Sequence, residues 1–355
     1  MDGSAAFPAP APAPPGAGLL FILGAPRSGT TWLAKIFDSH PGVLYRNEPD
    51  TVLREPRLPL LCPPEEIDRY RDIARAYVER LLDVRTLKTA GSMPVFAKHY
   101  ELPLAHPLRL FWIYALQVAH EVRRGRAIAQ RLPVPDLVRP NLRRSGLRQP
   151  PMVVVKSVNA RGLARLLLEA MPASRIVFIL RHPCGQIASV MRGLKSGQFS
   201  PPDRAEILAT EQARRFGLDA AQFNRLAPAE QWAWHWAILN QKAHDELGAD
   251  ARVRLVRYED LAAAPEAEVR ALFAFAGLSW DAQTADFLAR STTYTGADRY
   301  YRVMRNSLAA ADKWRTELPA EEQRRILAIT GTVPVGRLFA EPAQTSPAVA
   351  ETGPG

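Results

Sequence analysis

Short, continuous apolar runs alternate with longer stretches of helical spacing along most of the chain. Leu19-Leu20-Phe21-Ile22-Leu23 is the first run. Met152-Val153-Val154-Val155, Ile176-Val177-Phe178-Ile179-Leu180 and Val253-Arg254-Leu255-Val256 follow. Runs of this length, rich in Val and Ile, mark strands covered on both faces. Helical spacing follows over residues 30–38, 161–170, 186–191, 229–247 and 265–276. Strand, helix, strand, helix predicts parallel βαβ units, hence an α/β domain with a central parallel sheet flanked by helices.

Three segments break the rhythm. Residues 1–17 are rich in Ala, Pro and Gly, and residues 341–355 in Pro, Thr and Ala. Both read as disordered tails, because proline fixes φ and removes donors while little apolar surface is there to bury. Residues 51–150 are helical or irregular and predict a large, mostly helical insertion over the sheet edge or substrate mouth. The expected domain is therefore 18–340.

Composition narrows the classes. The chain has 355 residues, of which 47% are hydrophobic and 23% charged, ordinary for a globular protein. Two cysteines, Cys62 and Cys184, exclude a disulfide scaffold and a four-thiolate zinc site. No cluster has metal-ligand spacing. No apolar run reaches the ~20 residues that cross a bilayer. The N-terminus lacks the basic region of a signal peptide, so a cytoplasmic location is expected. High Ala, Pro and Arg usage points to a GC-rich bacterial source.

Lysine and arginine number 46 against 36 acids, a net charge of +10. Between Arg123 and Arg148 stand eight arginines and one acid, Asp136, which together hold seven of those ten charges. The apolar stretch Leu110-Phe111-Trp112-Ile113-Tyr114-Ala115-Leu116 lies just upstream. The plain reading is a buried helix followed by a solvated basic face. The sharper one is an acceptor cap for an anionic or amphiphilic molecule, with peripheral membrane contact. No aromatics interleave the arginines, which argues against nucleic acid.

Chemistry concentrates after the first strand, in Gly24-Ala25-Pro26-Arg27-Ser28-Gly29-Thr30-Thr31-Trp32. Gly29 lets the backbone approach a ligand, and the free N–H groups of a helix start favour an anion. Thr30 and Thr31 add hydroxyls, and Arg27 adds a planar donor fork. The glycines have the spacing of a P-loop, which makes the domain P-loop-like, but Thr30 stands where a nucleotide kinase needs lysine. A nucleotide with a short 5′ anion fits better than a triphosphate.

The segment 26–32 resembles the 5′-phosphosulfate loop of sulfotransferases that use 3′-phosphoadenosine 5′-phosphosulfate (PAPS). The resemblance implies that this loop, Ser28 included, holds the 5′ end of PAPS, and that Trp32 stacks on adenine. A core aromatic is the other reading of Trp32. Arg181 directly follows a strand, where open α/β sheets bind ligands, and Ser189 lies eight residues on. This pair is similar to the family's 3′-phosphate site. Arg257-Tyr258-Glu259-Asp260 resembles the segment whose tyrosine lies near adenine, with buried packing as the alternative. Arg305-Asn306-Ser307 before Lys313-Trp314-Arg315 is loosely similar to the basic loop over the 3′-phosphate, and puts Arg305 in the cofactor set. Trp314 reads equally as a core anchor.

The cytosolic branch of the family has a histidine shortly after a lysine as base. Here Lys156-Ser157-Val158-Asn159 keeps the lysine and lacks the histidine. The carbohydrate and tyrosylprotein branches instead carry a glutamate about ten residues after the first helix, which matches Glu48. Pro49 predicts an extended backbone for Glu48, so that it projects from a strand end. His99, after Lys98, is the runner-up base; His40 is expected to cap the first helix, and His182 to shape the loop beside Arg181.

The resemblance implies in-line sulfuryl transfer from PAPS to a hydroxyl or amine of a small-molecule, carbohydrate, glycolipid or natural-product acceptor. Glu48 would take the proton, Lys156 and Arg27 would meet the leaving-group charge, and no metal would be required. The product would be 3′,5′-adenosine bisphosphate (PAP). A P-loop nucleotide kinase and a non-catalytic PAP binder are the alternatives.

Overall fold

A computed structural model describes residues 18–122, 125–135, 150–197, 201, 204–293 and 307–340. Five strands form one parallel sheet: β1 (Leu19–Gly24), β2 (Val43–Asn47), β3 (Met152–Ser157), β4 (Arg175–Leu180) and β5 (Val253–Arg257), in the order β2-β3-β1-β4-β5. Every residue of β1 and β3 is buried, as their unbroken apolar runs require. One face packs on α1 (Thr30–Ser39) and on the helices Pro265–Ala276 and Ala282–Thr293. The other packs on α2 (Ile67–Leu82), α6 (Ala164–Ala170) and the helix Pro228–Leu247. Each fully buried aliphatic side chain in these layers stabilises the fold by roughly 1.5–3 kcal/mol.

Strand β2, absent from the sequence expectation, is the edge strand beside β3. Its residues Tyr45 and Arg46 hide it, because the run Val-Leu-Tyr-Arg-Asn lacks apolar continuity. Arg46 is nonetheless 1% exposed. Its Nε donates to the Leu82 carbonyl at the end of α2 at 2.9 Å, which satisfies the buried charge.

The insertion covers this edge. After α2 it continues through α3 (Leu87–Ala90), which packs on β2, then α4 (Ala105–Glu121) and α5 (Arg126–Arg131). A buried charge cluster ties it to α1. Lys35 donates to Asp38 at 2.6 Å and to the Ser92 and Pro94 carbonyls at 2.6 and 3.0 Å. Lys98 reaches the other Asp38 oxygen at 3.1 Å. Helix α4 corrects the plain reading of its apolar stretch: Ile113 and Leu116 are buried, but Leu108 is 66% and Phe111 71% exposed. The helix is apolar on more faces than its neighbours cover. Most of the arginine-rich segment lies outside the described residues, as do both tails.

Cys62 and Cys184 are buried free thiols. No described helix is long and apolar enough to cross a membrane.

Candidate active site

The site lies where the chain leaves the carboxyl ends of β1 and β4 in opposite directions. From β1 it returns through α1 to β2; from β4 it passes to β5 on the far side. Such a switch point opens a crevice above the sheet. Here the cleft measures about 410 Å³ and is lined by Arg27, Gly29, Thr30, Thr31, Trp32, Glu48, Lys156, Arg181 and Tyr258, with Asn159 and Ser307.

The loop after β1 is a tight turn. The Ser28 N–H donates to the Ala25 carbonyl at 3.1 Å. Gly29 caps α1 with φ 94° and no side-chain cap, so the first-turn N–H groups stay available to a ligand. A Cβ on Gly29 would stand 2.4 Å from Tyr258 Cδ2. Arg27 also has positive φ, 69°, an uncommon state for a residue with a side chain. Two bonds hold it: its Nε donates to Ser189 Oγ at 2.8 Å, and its carbonyl accepts from Arg181 Nη1 at 2.9 Å.

The second anchor is thereby joined to the first. Arg181 also donates to the Ala310 carbonyl at 2.5 Å, and its guanidinium lies 4.6 Å from the Tyr258 ring centre. Ser189 is buried and is not among the residues that line the cleft; its hydroxyl accepts from Arg27. Tyr258 opens a short helix, donates to the Ser307 carbonyl at 3.1 Å, and meets Trp32 edge-on at 6.1 Å. Trp32 is 7% exposed within the core, its Nε1 bonded to Ser291 Oγ at 3.0 Å, and it also lines the cleft. Glu259 accepts the His182 N–H at 2.9 Å, and the His182 ring stacks on Trp314 at 4.2 Å. The pair shapes the turn after β4, and Trp314 is a core anchor.

Glu48 stands one residue beyond β2, against the end of β3. Its carboxylate binds Lys156 Nζ at 2.5 Å through Oε1 and Lys88 Nζ at 3.0 Å through Oε2. Burial alone would raise this carboxyl, but the two ammonium groups outweigh it and hold it below its ordinary value. Burial lowers the Lys156 ammonium, against the attraction of Glu48.

Several expectations need correction. Glu48 is not extended: its φ and ψ are 46° and 51°, left-handed. Its N–H donates to the Lys156 carbonyl at 2.8 Å, and its carbonyl accepts from Thr51 N at 3.1 Å. These fixed bonds override the local preference that Pro49 imposes. Ser28 does not face the cleft. It is fully buried, and its hydroxyl donates to the Ala25 carbonyl at 2.6 Å, bracing the turn. His99 is remote from Glu48: its N–H donates to the Pro41 carbonyl, just before β2, whereas Glu48 follows β2. The five-residue strand separates them by roughly 16 Å. His40 ends α1, its N–H bonded to the Phe37 carbonyl. Arg305 lies outside the described residues.

Two groups escaped the sequence reading. Lys88 comes from the insertion, where no motif marks it. Asp50, two residues after Glu48, accepts from Ser157 Oγ at 2.7 Å, and burial raises its carboxyl. Only its nearness to Glu48 in sequence was a signal. Among the described residues no group of side chains has the make-up of a metal site.

Comparisons agree with this architecture. The model of the sulfotransferase family matches residues 20–282. Human carbohydrate sulfotransferase 5 is 26% identical over 340 residues, covering 86% of this chain and 74% of that protein. Human carbohydrate sulfotransferase 6 is 40% identical over 79 residues, 21% of this chain, so the match spans only 20% of that relative. Among solved structures, the sulfotransferase domain from the curacin biosynthetic pathway aligns over 89% of this chain and 98% of its own, with TM-score 0.43 and 18% identity. A mouse sulfotransferase complexed with PAP aligns over 91% and 88%, with TM-score 0.42 and 13% identity. The family match runs from the first strand to beyond the last, through every part of the cleft built before residue 282: the chain belongs to the sulfotransferase family.

Proposed function

We propose that this chain transfers a sulfuryl group from PAPS to a hydroxyl or amine of an acceptor, with Glu48 as general base. The observation that carries the reading is the meeting of two anion anchors and one carboxylate–ammonium pair in a single cleft. Three cations, Arg27, Lys156 and Arg181, face it against one carboxylate, Glu48. The uncapped start of α1 and the bare Gly29 suit a close-lying anion, as the 5′ end of PAPS would be. Arg181 and Ser189, each bonded to Arg27, suit the 3′-phosphate. Arg305 is retained in the cofactor set by resemblance. Trp32 and Tyr258 offer aromatic walls for adenine.

The chain's own groups then divide the work. Bound PAPS supplies an activated S–O bond. As the acceptor oxygen bonds to sulfur, that S–O bond breaks and its electron pair stays on the 5′-phosphate of PAP. Lys156 and Arg27 face the charge that develops there. The acceptor proton passes to Glu48. An anion in the cleft draws Lys156 away from Glu48, and the released carboxylate regains basicity. Positioning and charge stabilisation do most of the work, as in phosphoryl transfer.

Calorimetry with PAP and with ATP tests this reading. PAP should bind at least tenfold more tightly. Tighter ATP binding would overturn the assignment in favour of a kinase, for which Thr30 is the wrong residue. PAP binding with no transfer to any acceptor from a labelled-PAPS screen would leave a non-catalytic binder.

A further inference from the structure

We infer that the groove between α3 and the helices α4 and α5 receives the acceptor, and that the acceptor is an alcohol or amine with an aliphatic body. This rests on the sulfuryl-transfer reading and adds the substrate class to it. The groove measures about 1270 Å³, three times the nucleotide cleft. Its inner end is formed by Asn47, the residue before Glu48, and by Lys88, whose ammonium touches Glu48 Oε2 at 3.0 Å. The groove is thus continuous with the base of the proposed reaction. An acceptor hydroxyl that reaches Oε2 takes the place Lys88 fills; that side chain is half exposed, and its ammonium also donates to Thr51 Oγ1 at 3.0 Å.

The walls decide the class. Leu87 and Met93 line one side, Val118 and Val122 the other, with Val52 at the rim. Val52 is 50%, Val118 66% and Val122 56% exposed. Apolar side chains held open beside a reactive carboxylate gain by covering an apolar ligand. Among the described residues no Trp, Tyr or Phe lines the groove; His120 is its one aromatic ring. A second pocket, about 560 Å³, shares Asn159 with the cleft; it too is largely apolar, but carries Asp50, Glu55 and the Tyr77 ring. Its carboxylates lie away from Glu48: Asp50 accepts from Ser157 through one oxygen, and Glu55 is held by Arg57 at 2.7 Å.

The test uses the full chain, labelled PAPS and two acceptor series: straight-chain primary alcohols from butanol to decanol, and glucose with trehalose. The expected kcat/KM rises two- to fourfold per added methylene, fourfold being about the factor for burying one CH₂ completely. Val118→Glu in α4 and Val122→Glu just after it, at exposed positions that tolerate charge, should each cut the decanol-to-butanol preference at least tenfold and leave PAP affinity intact. Transfer to the sugars in preference to every alcohol overturns the inference and points to the pocket that shares Asn159 with the cleft. A flat dependence on chain length, as when the chain's own segment or a second copy fills the groove, overturns it too. Absence of transfer to all these alcohols, with PAP still bound, overturns the inference alone. Failure to bind PAP removes the sulfuryl-transfer reading with it.

Discussion

Lys156 Nζ and Glu48 Oε1 stand 2.5 Å apart where β3 and β2 end side by side. The pairing register puts Asn47 opposite Lys156, so Glu48 emerges one step past it. Parallel pairing therefore sets this ion pair, across 108 residues of sequence. Replacing the carboxylate without changing its shape tests its role. Glu48→Gln should lower kcat by about a hundred- to ten-thousand-fold, the usual contribution of a positioned base. PAP should bind as well or more tightly, since Lys156 is then free to meet the anion. Near-normal turnover in labelled-PAPS assays would remove Glu48 as base.

Lys88 adds to the low basicity of Glu48. Its removal raises the Glu48 carboxyl toward the ordinary value, because one of two neighbouring positive charges is gone. On the proposed mechanism the carboxylate acts when ionised, so activity should fall as pH drops through its pKa. Lys88→Met should therefore move the acidic limb of the kcat/KM profile to higher pH, and Lys88→Arg should restore it. An unmoved limb in the Met variant would show that Lys88 does not act on the base.

The Arg27–Ser189 bond links the two anion anchors. Arg27→Lys keeps the charge but loses the Nε donor. Calorimetry should show PAP binding weakened by about tenfold, in line with ~1.5 kcal/mol for a charged hydrogen bond. Ser189→Ala should reproduce most of the loss, and the double variant should be no worse than Arg27→Lys. Additive losses would mean that the two residues act separately.

Gly29→Ala introduces a methyl 2.4 Å from Tyr258 Cδ2 at a φ of 94°. Tyr258 has little room to yield, since its hydroxyl is bonded to the Ser307 carbonyl and Arg181 covers its ring. The strain should cost about 1–3 kcal/mol. Thermal melting should fall by several degrees, and PAP affinity should fall at least tenfold. A variant with unchanged melting and affinity would show that the loop opens freely.

The cluster under α1 carries a stability prediction. Burial works to raise the Asp38 carboxyl, but Lys35 and Lys98 hold it below its ordinary value of 3.8. A depressed carboxyl stabilises the fold above the unfolded value and loses that effect as pH falls through the folded one. Asp38→Asn leaves two buried ammonium groups without a partner and should cost about 3–5 kcal/mol near pH 7. The gap in melting temperature between wild type and variant should persist down to about pH 4 and close below it. A constant gap across that range would mean the cluster holds by packing alone.

The legible parts of this protein were those in which local backbone geometry and chemistry coincide. Arg27, Gly29 and Thr30 sit between an unbroken strand and a helix, so their neighbours in sequence are their neighbours in space. Arg181 and Tyr258 are likewise strand-end residues. Illegible were β2, whose buried Arg46 breaks the apolar pattern, and Lys88, whose partner lies 40 positions away in the chain. Ser28 was legible as a loop residue but not in orientation, because a hydroxyl in a tight turn reaches either a ligand or its own backbone.

By itself the sequence determined four of the five strand runs, the loop after β1 and the cations at strand ends. These follow from periodicity, glycine and charge, which act within a few residues. Only the tertiary structure decided that Glu48 adopts a left-handed turn, that two lysines hold it, that Ser189 bonds Arg27, and that α4 leaves apolar faces bare. Each of those depends on contacts between segments distant in sequence. Their energies come from burial and from charges brought within a few ångströms, which no local pattern encodes.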